Sequence, residues 1–213
     1  MGIDGESCQA LFASFGISFD LSIEIQQSLQ TSIVVRSIDG FSERVDAPLA
    51  FEETASPEEM RAQAMKTLVR YIDTDTICYF QEYPQGLVDM QEKYWRPILD
   101  KIEQEFGPVK TTTGIMYILQ SADLVAKLTQ EVNKMSPLMF SAFEKAVLSS
   151  KSFMTGLALV KGWIDVEHAA NAARVEILAQ IQRWGEVEDT HDMDREEMKR
   201  QLGAASICAR ASM

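Results

Sequence analysis

Hydrophobic residues recur at helical spacing through most of the chain after residue 56. The clearest start is the segment Ser-Pro-Glu-Glu at 56–59, which combines an N-cap serine, a proline at the first helical position and a glutamate at N3. Apolar residues then follow at i, i+3, i+4 and i+7, namely Met65, Leu68, Val69 and Ile72. The pattern predicts a helix over roughly 57–72.

The same periodicity predicts further helices with visible start and stop signals. Pro84 opens one of them, and Pro97 must kink or break it, because proline lacks an amide proton and its ring clashes with the preceding turn. Residues 153–160 are apolar nearly all round, which predicts a buried central helix in which Gly156 is a close-packing site. The expected N-caps of later helices are Ser121, Ser136, Asp165 and Asp194.

The first part of the chain has a weaker pattern. An alternating apolar run that ends at Ile25 is compatible with a strand, and residues 39–57 are typical of a loop or linker. We therefore expect an all-α fold: a helical bundle of about six to seven helices with a poorly structured N-terminal segment. The expected organisation is a divergent N-terminal segment and linker over residues 1–50, followed by a helical domain over 51–213.

Charge and cysteine content narrow the classes of function. The net charge of −12 makes nucleic-acid binding unfavourable and favours basic protein surfaces as partners. No apolar run approaches about 18 residues, so we expect no stable membrane insertion. Cys8, Cys78 and Cys208 are odd in number and far apart, which fits a reducing compartment and argues against a disulfide framework or a zinc site.

One short motif suggests catalysis. The segment Asp-Thr-Asp-Thr at 73–76 resembles the nucleophile loop of haloacid-dehalogenase-type phosphotransferases, where two carboxylates and Mg²⁺ act at the end of a buried parallel strand. Here the preceding segment is an amphipathic helix, which favours a helix-ending turn bonded to the local backbone. A small metal-dependent phosphotransferase using Asp73 and Asp75 is therefore the alternative function.

A dense acidic run follows Gly185, a predicted helix stop. It has no central glycine of the kind that a calcium-binding EF-hand loop requires. Two interpretations are open: a solvated acidic loop, or a docking surface for a basic partner. Trp184 shares a helical face with Ile177 and Ile181, so we expect it in the core, with the carboxylates beyond it fixed but exposed. The candidate partner-binding residues are Glu186, Glu188, Asp189, Asp192 and Asp194.

Four stretches together resemble the chaperone family that assembles the F1 sector of ATP synthase, in particular its alpha-subunit-binding members. They occur in the family's order and spacing and cover roughly residues 32–205. The stretches are Y-I-D-T-D-T-I-C-Y from Tyr71, L-V-D-M-Q-E-K-Y-W-R-P-I-L from Leu87, A-F-E-K-A-V-L-S-S-K-S-F from Ala142, and Q-I-Q-R-W-G-E-V-E-D-T-H-D-M-D from Gln180.

The resemblance implies a chaperone of the mitochondrial matrix with no catalytic activity and no cofactor. It also implies that the chain binds the free alpha subunit of F1 and shields the surface that later meets the beta subunit.

The chain departs from the family at several places. Family members usually open with a β-rich domain, whereas residues 1–31 replace that domain with sequence unrelated to the family. Three explanations stay open: an alternative start, a wrong gene model or a true short form. A non-functional fragment of the chaperone is a third functional interpretation. Residues 1–30 contain no Lys or Arg, so a mitochondrial transit peptide is not visible. Arg96 and Lys101 stand where the family more often has Asp and Trp.

Overall fold

The computed structural model describes residues 56–114 and 116–212. The predicted boundary between residues 1–50 and 51–213 therefore lies outside the described residues. The same is true of the possible strand that ends at Ile25 and of all but the end of the predicted linker.

The described residues are mainly helical, which confirms the predicted fold class. The helices are α1 (Pro57–Asp73), α2 (Gln85–Tyr94), α3 (Arg96–Phe106), α4 (Ala122–Asn133), α5 (Pro137–Ser150), α6 (Phe153–Val160), α7 (Val166–Ala173), α8 (Val175–Trp184) and α9 (His191–Ala211). A 3-10 turn over Thr76–Cys78 leads into β1 (Tyr79–Phe80), which pairs in parallel with β2 (Thr112–Thr113). Within the described ranges, no helix has both the length and the apolar character needed to cross a membrane.

Most of the predicted helix starts are confirmed. At α1, the Glu59 N–H donates to Ser56 Oγ (3.2 Å) and the Ser56 N–H donates to Glu59 Oε2 (2.7 Å), which completes a capping box. Three further predicted N-caps each accept the backbone N–H three residues later: Ser121, Ser136 and Asp165.

The predicted N-cap at Asp194 is wrong. Helix α9 begins at His191 with Thr190 as its N-cap residue, so Asp194 lies inside the first turn. The Asp194 carboxylate instead forms an ion pair with the buried guanidinium of Arg174, in which Nε lies 2.8 Å from Oδ2.

Two stretches of helical spacing are each divided into two helices: the one that Pro84 opens and the one between the N-cap Asp165 and Trp184. Pro97 breaks the first, so that α2 ends at Tyr94 and α3 begins at Arg96. Helix α7 covers the break: His168 Nε2 lies 2.9 Å from the Tyr94 carbonyl oxygen, and Trp95 Nε1–H donates to the Ala172 carbonyl (2.8 Å). The second division, at Arg174, separates α7 from α8.

Helix α6 lies at the centre of the core, as its apolar sequence predicts. All its residues are buried, and it packs against α3, α5, α7 and α9. A Cβ on Gly156 would lie 2.7 Å from Val147 Cγ2, so glycine permits the close approach of α5. The Phe143 and Phe153 rings meet edge to face across the same contact, with centroids 5.0 Å apart. This packing confirms the predicted central helix.

Candidate functional site

The acidic run lies between the end of α8 and the first turn of α9. Gly185 ends α8 with a φ of 89°, a conformation that favours glycine, and its N–H donates to the Ile181 carbonyl (2.8 Å). We call residues 185–190 the connector. Of the five predicted partner-binding carboxylates, Asp192 is partly buried and the others are exposed: Glu186, Glu188, Asp189 and Asp194.

Hydrogen bonds hold the connector against α9. The Val187 N–H donates to His191 Nδ1 (3.0 Å), and the His191 N–H donates back to the Val187 carbonyl (3.1 Å). Arg195 Nη1 lies 3.0 Å from Glu186 Oε1. These contacts tie the connector to α9, so they fix the backbone that carries its carboxylates.

Arg174 fixes the start of α9 to the α7–α8 junction. Its side chain is only 3% exposed, with Nε directed at Asp194 and Nη2 donating to the His191 carbonyl oxygen (2.9 Å). A buried guanidinium without an anionic partner is costly. The Asp194 carboxylate therefore has a structural task as well as an exposed position.

The five carboxylates are not equivalent. Asp194 and Glu186 are ion-paired, and Asp192 Oδ1 accepts the Met193 N–H (2.9 Å). Across the part of the chain that the structure describes, Glu188 and Asp189 have no side-chain hydrogen bond or ion pair. Their carboxylates are the ones available to a partner.

The expectation that Trp184 lies in the core is wrong. Its side chain is 71% exposed, and the Arg183 guanidinium lies over its ring at 5.1 Å. The helical spacing with Ile177 and Ile181 is correct, but neighbouring elements cover that face only in part, and Val175 is the buried residue of α8. Periodicity reports which residues share a face and not how much of that face is covered.

Two further apolar side chains are exposed, one in the connector and one in the first turn of α9, and the sequence pattern did not single out either. Val187 is 57% exposed and Met193 is 67% exposed. Their position among carboxylates is the sequence signal that could have identified them, because neither belongs to a helical apolar stripe. We call Trp184, Val187 and Met193 the apolar trio. A stretch of chain that carries this exposed trio together with unpaired carboxylates suits a partner that is both apolar and basic.

The carboxylates of the suggested phosphotransferase motif serve the fold. Asp75 is fully buried, and its Oδ2 accepts the Met154 N–H (2.9 Å) at the start of α6. Burial raises the pKa of Asp75 to about 6. Asp73 Oδ1 accepts the Gln120 N–H (3.0 Å).

The context of the motif also differs from that of a phosphotransferase. The motif follows helix α1 and not a buried strand. Among the described residues, no group of three or more His, Cys, Asp or Glu side chains could hold a metal ion. The geometry therefore gives the phosphotransferase alternative no support.

An open cavity of about 630 Å³ lies beside the two-stranded sheet. Its lining residues are Phe80, Gln81, Glu82, Val88, Glu92, Arg96, Thr111, Thr112 and Thr113. Arg96 pairs with Glu92 (3.6 Å) and lies over the Phe80 ring (5.3 Å). Because its arginine is already engaged, the cavity is a weaker candidate site than the connector.

Comparison with known proteins supports the resemblance found in the sequence. The model of the ATP12 chaperone protein family matches residues 22–103. The match begins before residue 32 and so includes part of the N-terminal stretch expected to be unrelated. The stretches beginning at Ala142 and Gln180 lie outside it.

Curated relatives and a solved structure extend the comparison. The chain is 29% identical over 150 residues to "Protein atp12, mitochondrial" of Schizosaccharomyces pombe, covering 67% of this chain and 52% of the relative. It is 28% identical over 216 residues to "Protein ATP12, mitochondrial" of Saccharomyces cerevisiae, covering 89% of this chain and 66% of the relative. The crystal structure of Atp12 from Paracoccus denitrificans superposes with a TM-score of 0.67 at 25% identity, covering 74% of this chain and 67% of that one. These matches confirm the resemblance to the ATP12 chaperones.

Proposed function

We propose that this chain, a relative of the ATP12 chaperones, is a molecular chaperone for assembly of the F1 sector of the mitochondrial proton-transporting ATP synthase. In this proposal it binds the free alpha subunit until that subunit pairs with the beta subunit. The family match supports the chaperone role, and the names of the two yeast relatives support a mitochondrial location. The chain acts by binding and not by catalysis.

The observation that carries the proposal is the geometry of the connector. Glu188 and Asp189 are exposed and unpaired among the described residues, while the backbone beneath them is tied to α9 through Val187 and His191. Asp189 also adopts a φ of 61°, a left-handed conformation that aspartate tolerates better than most residues. Carboxylates held in this way form a preorganised surface for a basic patch on a client.

Charge reversal at Glu188 tests the proposal. Glu188→Lys removes an unpaired exposed carboxylate, so the free energy of unfolding should change by no more than about 0.5 kcal/mol. Binding of purified free alpha subunit should weaken, chiefly through slower association that depends on salt. Thermal melting and the soluble fraction of alpha subunit, each at low and moderate salt, measure the two effects.

Glu105→Lys is the matched control, because Glu105 is an exposed acidic residue on α3 outside the connector. It changes the net charge by the same amount and should leave client protection at the parental level. If Glu188→Lys protects the alpha subunit as well as the parent at both salts, the connector is only a solvated loop. Equal loss in the two variants would mean that net charge matters and the connector does not.

A further inference from the structure

The apolar trio points to a second property of the client surface. We infer that Trp184, Val187 and Met193 contact an apolar segment of the partner whose flanks carry Lys or Arg. This inference rests on the proposed function, since it concerns the same site, and it adds the chemistry of the partner segment.

The trio occupies one short stretch of chain at the end of α8, in the connector and in the first turn of α9. Single exposed apolar side chains are ordinary on a protein surface, whereas a group of them favours an interaction site, and the trio is such a group along the chain. The bonds between Val187 and His191 fix the middle of the stretch. The apolar side chains are therefore held exposed by an ordered backbone.

Charge identifies the occupant. Glu188 and Asp189 lie between the apolar positions, so an apolar segment with basic flanks can bury its apolar side chains and pair its charges at once. A second copy of this chain is a poor occupant, because two chains of net charge −12 repel. Anionic lipid surfaces are repelled for the same reason.

The trio also offers a specific contact for a basic side chain. The Arg183 guanidinium already lies over the Trp184 ring. Arginine from a partner can interact with an exposed indole in the same way. Tryptophan is also a frequent anchor in protein interfaces, since it buries a large area with few rotatable bonds.

Three synthetic peptides of equal length separate the contributions to binding. The first is an amphipathic Leu/Lys helix, the second keeps its lysines but replaces Leu with Ser, and the third keeps its leucines but replaces Lys with Glu. Trp184 reports binding, because Trp95 is buried and Trp163 is partly buried, and a Trp184→Phe variant supplies the background. The Leu/Lys peptide should shift Trp184 emission to shorter wavelength and protect it from acrylamide, while the other two should do neither.

A matched pair of methionine variants locates the contact. Met193→Ser should weaken binding of the Leu/Lys peptide by about tenfold, because an apolar side chain is lost from the contact. Met116→Ser removes a methionine of similar exposure, 72%, from a segment outside the site and should leave affinity unchanged. Val187→Ser repeats the test at a second position, and thermal melting shows that each variant is folded.

Several outcomes would overturn the inference. Equal binding of the Ser/Lys peptide would make the contact purely electrostatic, and equal binding of the Leu/Glu peptide would make the basic flanks irrelevant. Self-association at the trio, or binding to phosphatidylglycerol vesicles in preference to the Leu/Lys peptide, would assign the surface to another occupant. If Met193→Ser captures the alpha subunit like the parent while Glu188→Lys does not, this inference fails and the proposed function stands. If both variants capture it like the parent, the proposed function fails as well.

Discussion

Asp75 shows how one residue of an apparent catalytic motif can serve the fold. Its carboxylate accepts the Ile77 N–H (3.3 Å) locally and the Met154 N–H (2.9 Å) at the start of the central helix. The local bond could be predicted, because an Asp side chain in a turn commonly accepts the backbone N–H two residues later. The contact with Met154 joins distant parts of the sequence, so no local pattern could predict it.

Burial of Asp75 leads to a pH-dependent stability. Burial raises its pKa from 3.8 to about 6, so the folded state holds this proton more tightly than the unfolded state does. The protonated Asp75 carboxyl therefore adds about 3 kcal/mol to the free energy of unfolding. This contribution is fully present below about pH 4 and is lost as the pH rises through 6. Urea denaturation near pH 4 and pH 7 measures this against Asp75→Asn, which does not titrate. The unfolding free energy of the parent, minus that of Asp75→Asn, should fall between the two pH values; a constant or rising difference would contradict the assignment.

At the scale of elements, the starts of helices follow from local sequence more closely than the burial of their faces does. The capping box at Ser56 and the break at Pro97 follow from local chemistry, and both are present. The division at Arg174 and the exposure of the end of α8 depend on which neighbouring helices pack there. The spacing of hydrophobic residues gives no information about those neighbours. The strands Tyr79–Phe80 and Thr112–Thr113 are equally hard to predict, because such short strands depend on tertiary contact.

The contact between Arg174 and Asp194 gives a prediction about how α9 is attached. Asp194→Asn leaves the buried guanidinium without its anionic partner, so the unfolding free energy should fall by about 1 to 3 kcal/mol. Glu188→Gln is the matched control, because it neutralises a connector carboxylate that has no partner among the described residues, and it should change little. Chemical denaturation of both variants measures the difference. Equal stabilities would mean that Asp194 has no structural task.

At the scale of the whole molecule, the fold class and the acidic segment were predictable, and the surface around that segment was not. Helix α6 is buried on all sides, as its composition requires. Sequence alone identified the five carboxylates as a group. It could not show that Asp194 and Glu186 are paired, or that the apolar trio is exposed beside Glu188 and Asp189, because both facts depend on how α8 and α9 are arranged.

The central claim is that the client binds at the end of α8, the connector and the start of α9. Amide hydrogen exchange of this chain, alone and with purified free alpha subunit, tests it most directly, because slowed exchange locates a binding surface by segment. The account predicts the largest slowing over residues 184–194, lost in Glu188→Lys and retained in Glu105→Lys. Binding that slows exchange elsewhere, for example around the cavity beside Phe80, while residues 184–194 exchange as in the free chain, would contradict it.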